Sequence, residues 1–586
     1  MKPQVDCGRY PVKRIAGERV DVGARIFRDG HDALGAAVRY RPAGATRWQE
    51  APLAPLGNDQ WAGSFVVDRP GLWSFRIEAW TDRIATYQDE IRRKVDGGQD
   101  DLTSELAEGA VLLGRSSIVV EDVLAAPAGD HFGTTSSEVY GVNVDRELAR
   151  FGSWYELFPR SWGGFEGVRA LLPRFAELGF DVVYLPPIHP IGKTNRKGRN
   201  NALTAGPNDP GSPWAIGGAE GGHDAIHPEL GTLAQFERLV ADARAQGIEI
   251  AIDFAVQTSP DHPWLKAHPE WFNRRPDGTL KYAENPPKRY QDIYNVNFES
   301  EDWKGLWQAL LDVVLTWVGR GVTVFRVDNP HTKPVPFWEW LIAQVRREHP
   351  EVVFLAEAFT RPAMMTTLAK AGFAQSYTYF TWKNTRWELL EFMGQLLEWS
   401  DISRPNVFAN TPDILHEYLQ HGGRPAFEAR LVLAATLSPT YGIYSGFETC
   451  ENEPVREGSE EYLDSEKYEV KKRKLDGPLL PLVATLNRAR RENPALQRLD
   501  NVTFLETENE QLFGYLKRTG GNDVVVVVNL DPTATQRGVC ILPASTGLPP
   551  AYRVRDLLAE KEWTWHIGRN FVELAPGKSH VLKVVK

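Results

Sequence analysis

The sequence predicts an α/β protein: a closed (β/α)8 TIM barrel with an inserted loop domain, flanked by N-terminal and C-terminal β-sandwich domains. Three observations predict it. Across residues 131–490 short apolar, β-branched runs alternate with helix-like stretches, the signature of βαβ units and a parallel sheet. Eight such units favour a closed barrel over an open doubly wound sheet, and none of the strands leads into a Gly-rich phosphate loop. On either side the chain turns to short β-rich runs punctuated by Gly, Pro and Asp.

In chain order, residues 1–84 hold strand-like runs at 20–27, 36–40, 60–67 and 72–79, which make a small β-sandwich. Residues 85–130 change character. Segments 91–94, 102–113 and 118–126 read as helices of mixed charge, a helical insertion or linker that offers an oligomerisation surface. The barrel strands fall at 154–159, 181–188, 248–256, 321–328, 352–359, 374–379, 406–410 and 440–444. Two excursions break the rhythm: 189–227, rich in Gly, Asn, Pro and Arg, and 273–292, polar with Lys, Pro and Tyr. Loops this long inside a compact domain are usually functional. After a helix over 479–491, residues 491–586 are β-rich, with runs at 502–505, 512–517, 524–529, 539–542 and 580–585.

Composition excludes several classes of function. A formal net charge of −10 with no long basic run argues against nucleic acid and anionic membrane as partners. The segment MKPQVDCGRYPVKR lacks the apolar core of a signal peptide, and no other stretch is long enough to span a bilayer, so a cytoplasmic location is expected. Cys7, Cys450 and Cys540 are odd in number and far apart. They make neither a disulfide framework nor a metal spacing, and they fit a reducing compartment. Isolated histidines such as His223 and His331 read as hydrogen-bonded structural residues, and HEYLQH at 416–421 lacks zinc spacing, so no metal is expected.

The chemistry is concentrated where barrel strands end. The run GVTVFRVDNPHTKP is apolar until Arg326 and Asp328 interrupt it. A carboxylate placed in a core costs several kcal/mol unless it is paired, and the carboxyl ends of barrel strands are where active sites form. FLAEAFTRP puts Glu357 at the same face after the fifth strand, and VFANTPD puts Asp413 there after the seventh. Three like charges gathered from three strands destabilise a fold and push their pKa values apart. Glycosyl transfer needs that set, with one carboxylate to attack the anomeric carbon and another kept protonated for the leaving group.

FRVD on the fourth strand, Glu on the fifth and Asp after the seventh resemble the α-amylase superfamily of retaining glycosidases and transglycosidases. The resemblance implies that Asp328 is the nucleophile, oriented by Arg326, that Glu357 is the general acid/base, and that Asp413 stabilises the transition state. The departures point further. Where superfamily members usually carry Asn-His after the third strand and Asn-His-Asp after the seventh, this chain has Gln257-Thr258 and Thr411-Pro412-Asp413, and Asn329 follows the nucleophile. A starch hydrolase and a calcium site become less expected.

These variations, with PPIHPIGKTNRKGRNNALTAG, GGHDAIHPELGT, YAENPPKRYQDIY and SEKYEVK, are similar to the α-1,4-glucan:maltose-1-phosphate maltosyltransferase family. That resemblance implies maltose 1-phosphate as donor, an α-1,4-glucan as acceptor, a homodimer and no cofactor. It also implies a phosphate pocket of Asn285, Lys288, Tyr290 and Asn329, and a sugar site of Lys197, Gln257, Asp292, Asn329, Lys467 and Tyr468. Amide, ammonium and phenol donors on one proline-stiffened loop suit an anionic leaving group, because charge-assisted hydrogen bonds are the strong ones. Two rivals stay open from the residues: another superfamily hydrolase or transglycosidase, and a non-catalytic glucan-binding protein.

Overall fold

A computed structural model of the protein describes residues 1–285 and 288–585, the side chains of Asn285 and Lys288 excepted. Eight parallel strands carry the barrel: β1 (Gly152–Glu156), β2 (Val182–Leu185), β3 (Glu249–Phe254), β4 (Val324–Val327), β5 (Val353–Ala356), β6 (Gln375–Ser376), β7 (Val407–Phe408) and β8 (Thr440–Tyr444). They pair in the order β6-β5-β4-β3-β2-β1-β8-β7. Ser376 closes the ring, its N–H donating to Arg404 O at 3.0 Å and its carbonyl accepting from Asn406 N at 2.8 Å. Every residue of β2, β4, β5 and β8 is buried, as strands covered on both faces require. Trp154, Tyr184, Ala251, Val324, Leu355, Tyr377 and Phe408 fill the barrel interior as a packed core.

Helices alternate with these strands for local reasons. α1 (Gly164–Leu178) stops at Gly179, whose φ of 80° ends the helix in the left-handed region. α2 (Leu233–Ala245) starts from a capping box of Thr232 and Gln235. α3 (Trp303–Gly319) and α4 (Val335–Glu348) flank β4 in sequence, and α5 (Pro362–Ala371) follows β5. α6 (Arg386–Glu398), α7 (Glu417–Leu437) and α8 (Leu480–Glu492) complete the ring.

Three expectations change. The barrel unit begins at Glu147, not at 131, because Phe132–Ser136 and Tyr140–Asp145 join the N-terminal unit. Both pair antiparallel with Gly71–Thr81, and Tyr140–Asp145 also runs parallel to Val12–Ile15. Alternation in YGVNVD marks a strand but says nothing of which sheet it joins. That unit, Met1–Arg146, holds two sheets and three helices (Arg83–Asp96, Thr103–Leu112 and Val120–Ala125), with Tyr40 stacked on Phe65 at 4.5 Å between the sheets.

The second change concerns 273–292. Tyr282–Asn285 and Lys288–Asn295 form a hairpin, which pairs with Gln257–Thr258 into a three-stranded sheet. A polar face without apolar alternation hides such a strand pair from pattern reading. Third, the C-terminal sheet shares one core with the barrel helices instead of standing apart. Phe513, Tyr515, Val526 and Val581 lie in the same buried cluster as Val432 of α7 and Leu486 of α8, and Glu147–Lys586 is one compact unit. The strands Ala551–Asp556, Glu562–His566 and Gly568–Leu574 also belong to it, although the sequence pattern left them unassigned.

Candidate active site

The site grows from the carboxyl ends of β3, β4 and β5. These strands are parallel neighbours in a register that sets Asp253 opposite Arg326 and Arg326 opposite Leu355. Arg326 is 4% exposed, and its guanidinium is spent on three carboxylates. Nη1 donates to Asp253 Oδ2 at 2.7 Å and to Asp328 Oδ1 at 2.8 Å, while Nη2 pairs with Glu357 Oε1 at 2.5 Å. Tyr184 Oη donates to the same Asp253 oxygen at 2.6 Å. One buried cation cannot compensate three buried acids, so protons move onto the acids. Burial pushes Asp253 up to about 7 against the pull of Arg326, with the Asp328 carboxylate adding to the rise. Burial also drives Glu357 well above the carboxylate range; Arg326 opposes the rise, and Asp328 and Asp413 reinforce it. A carboxyl group that keeps its proton close to a nucleophile is what acid/base chemistry on a sugar needs.

Directly after Asp328 the backbone turns sharply. Asn329 takes φ 40° and ψ 55°, a left-handed conformation that Asn tolerates better than most residues, and it opens the 3-10 turn Pro330–Thr332. Trp338 of α4 holds that turn from below, its Nε1 donating to Pro330 O at 2.9 Å. The Asn329 N–H points at Glu357 Oε2, 3.4 Å away.

Above the carboxylates opens a cleft of about 640 Å³, into which Asp328, Glu357 and Asp413 all face. Gln257, Tyr290, Asp292, Asn329, Lys467 and Tyr468 line it too, with Trp214, Phe359 and Trp382 as apolar walls. Asp413 pairs with the Lys467 ammonium. Burial works against the charge on Lys467, but Asp413 more than restores it and raises its pKa. Burial pushes Asp292 up to about 6 with Lys197 opposing, and its Oδ2 has no hydrogen-bond partner in the protein. The cleft is therefore lined by polar side chains as well as aromatic ones, and Asp292 Oδ2 is an unspent acceptor in it.

The N-terminal unit and the C-terminal sheet each match a family model: "Alpha-1,4-glucan:maltose-1-phosphate maltosyltransferase, domain N/S" over residues 1–146, and "GLGE, C-terminal" over residues 504–584. Alpha-1,4-glucan:maltose-1-phosphate maltosyltransferase 1 of Streptomyces coelicolor is 50% identical, the match covering 100% of this chain and 94% of that protein. The maltosyltransferases of Pseudomonas aeruginosa and Chlorobaculum tepidum are 48% and 46% identical, over 98% and 99% of this chain and 94% and 95% of theirs. The chain belongs to the α-1,4-glucan:maltose-1-phosphate maltosyltransferase family. Among solved structures, an alpha-amylase from Lactobacillus plantarum superposes with TM-score 0.60 at 24% identity, covering 75% of this chain and 100% of that one. A noncanonic maltogenic alpha-amylase from Thermotoga neapolitana gives 0.59 at 19% identity, over 75% and 100%. These two share the barrel fold.

Among the residues that the maltosyltransferase resemblance singles out, nine stand in the cleft wall. Arg326 lies beneath it, clasping the acids. Lys197 stands back from the wall, buried, with its Nζ donating to Gln291 Oε1 at 2.6 Å beside Asp292. The side chains of Asn285 and Lys288 fall outside the described residues, and their backbones face each other in the hairpin that carries Tyr290. His223 is structural: Nδ1 meets His262 Nε2 at 3.1 Å and Nε2 meets Ala255 O at 2.8 Å. His331 departs from the structural reading, since it lines the cleft with a partnerless Nδ1.

Three groups escaped sequence reasoning. Asp253 shares Arg326, Lys333 lines the cleft, and Glu156 at the end of β1 is buried with an unpartnered Oε2. Burial drives Glu156 well above the carboxylate range, against Arg326. The available signal was an acid breaking an apolar run, as in EIAIDFAV and SWYELF. Among the described residues His268, Glu270 and Asp302 come close enough to share an ion, but they are exposed or half-exposed, and Asp302 already caps α3.

Proposed function

We propose that the protein transfers a maltosyl unit from α-maltose 1-phosphate to the non-reducing end of an α-1,4-glucan, with release of phosphate and retention of the α configuration. The observation that carries this reading is Arg326 clasping Asp328 and Glu357 beneath one polar cleft, in a chain half identical to maltosyltransferases along its length. Asp328 attacks the anomeric carbon and forms a β-linked ester as the C1–O bond to phosphate breaks and its electron pair leaves with the phosphate oxygen. Glu357, protonated by virtue of its burial beside Asp328, gives its proton to that oxygen. Ester formation removes the Asp328 charge, which lowers the proton affinity of Glu357. It then takes the proton of the acceptor 4-hydroxyl, and that oxygen displaces Asp328.

Asp413, Gln257, Asp292, Lys467, Tyr468 and Lys197 hold the maltosyl unit, and Asn329 serves both it and the phosphate. Asn285, Lys288 and Tyr290 complete the phosphate pocket. A homodimer in the cytoplasm belongs to the same proposal. All three cysteines are free thiols, the state a reducing compartment maintains, and no described helix is long and apolar enough to cross a membrane.

The test is to incubate the protein with maltose 1-phosphate and glycogen and to measure phosphate and chain length. Stoichiometric phosphate with chains growing by two glucose units is expected. Reducing sugar released from starch without phosphate turnover would overturn the proposal in favour of a hydrolase.

A further inference from the structure

The turn that follows the nucleophile carries an unspent cation. Lys333 is 7% exposed, yet its side chain lines the cleft together with Asp328, Asn329 and Glu357. A lysine ammonium has three N–H donors. This one makes a single hydrogen bond, to Thr332 Oγ1 at 2.9 Å, and no ion pair among the described residues. A buried charge without a contacting counter-charge is costly, and burial does depress the pKa of Lys333, while Asp328, Glu357 and Asp253 sustain its charge from beyond contact distance. His331 stands on the same wall with its Nδ1 free of protein partners, and burial, with Lys333 adding to the effect, lowers its pKa and keeps the ring neutral.

The turn is rigid. Thr332 Oγ1 donates to Asn329 O at 2.8 Å, Lys333 N donates to Pro330 O at 3.2 Å, and Trp338 holds Pro330. Thr332 Oγ1, held in that turn, anchors the ammonium at 2.9 Å before any ligand arrives, and preset donors are the condition for strong electrostatic stabilisation. Of the other buried cations here, Arg326 has both Nη atoms on carboxylates and Lys467 is paired with Asp413. Lys333 is not.

We propose that Lys333, with His331 as a neutral neighbour, binds the departing phosphate from the nucleophile's own turn. As the C1–O bond breaks and Glu357 protonates the bridging oxygen, the two unspent Lys333 N–H groups donate to the non-bridging oxygens, where the phosphate's charge remains. This inference rests on the maltosyl-phosphate reading of the cleft and adds a specificity element to it: a cation that favours a phosphate leaving group, charged from the outset and rich in acceptor oxygens, over a small halide.

The experiment compares kcat/KM for two donors, maltose 1-phosphate and α-maltosyl fluoride, in the wild type, Lys333→Met and Lys333→Arg, with glycogen as acceptor. Removing one preset oxyanion donor typically costs about 10²-fold or more in rate. The ratio of the two kcat/KM values is expected to fall by about 10²-fold in Lys333→Met and to recover most of that in Lys333→Arg. An unchanged ratio with phosphate release intact in the wild type overturns this inference alone. Failure of the wild type to release phosphate overturns the proposed function and this inference with it. Should Lys333→Met not fold, Lys333→Gln is tested by inhibition of fluoride-driven transfer with inorganic phosphate. A rise of about 10-fold or more in the inhibition constant supports the site, and an unchanged constant refutes it.

Discussion

Replacing Arg326 by lysine keeps the charge and removes the fork. The guanidinium reaches Asp253, Asp328 and Glu357 at 2.7, 2.8 and 2.5 Å through two nitrogens, a geometry that a single ammonium cannot reproduce. An ammonium that keeps one contact loses two, and charge-assisted hydrogen bonds at about 1.5–3 kcal/mol each make the gross loss about 3–6 kcal/mol. Part of it is recovered. Asp253, already held at about 7, takes up a proton at neutral pH at almost no cost and ceases to need a cation. The net deficit is then one contact, about 1.5–3 kcal/mol, or about 10- to 10²-fold in kcat/KM at 1.36 kcal/mol per decade. Loosening the guanidinium's hold on Glu357 also lets the pKa of that acid rise further, so the alkaline limb of the pH–rate profile moves upward. Phosphate release from maltose 1-phosphate and glycogen, measured from pH 5 to 8, reads both effects. A variant within threefold of the wild type, with its alkaline limb unmoved, would refute the claim that Arg326 organises the site.

Three further outcomes follow from the same geometry. Asp328→Ala is expected to abolish transfer while circular dichroism and thermal unfolding show a folded protein; appreciable turnover removes Asp328 as nucleophile. Asp253, raised to about 7, binds its proton more tightly folded than unfolded, so its contribution to stability is greatest at acid pH and is lost as pH rises towards 7. Asp253→Asn should therefore flatten the pH dependence of the urea midpoint between about 4 and 7, and an unaltered slope would contradict the assignment. Lys517, buried in the C-terminal sheet and donating to Leu437 O and Arg498 O, is depressed to about 7 by burial, with Arg490 adding to the effect. The unfolded chain binds that proton more tightly, so stability rises with pH from about 7 to about 10; Lys517→Met should remove this rise, and its persistence would exclude Lys517 as the cause.

Much of this molecule is determined locally. Apolar runs alternating with helical stretches specify a parallel barrel, because a strand covered on both faces must be apolar throughout, and capping residues such as Thr232 mark where some of the helices begin. Arg326, Asp328, Glu357 and Asp413 were legible because charge at the end of a buried strand has no cheap structural explanation. The sequence also carried the family, through long stretches in one order.

Partnership was another matter. Asp253 becomes the third acid on Arg326 only because β3 and β4 pair in a register that sets the two opposite each other, across 73 residues of chain. Asp413 meets Lys467 across 54 residues from one turn to another. Periodicity states which face a side chain takes, not which strand lies beside it, so neither pairing could be read in advance. The same holds for residues 131–146, whose alternation was plain and whose sheet was not, and for the C-terminal sheet, which shares the barrel's core. Lys333 is the clearest case. In the sequence it is one lysine in a turn, and only burial in the cleft wall, with two donors unspent, gives it a chemical meaning.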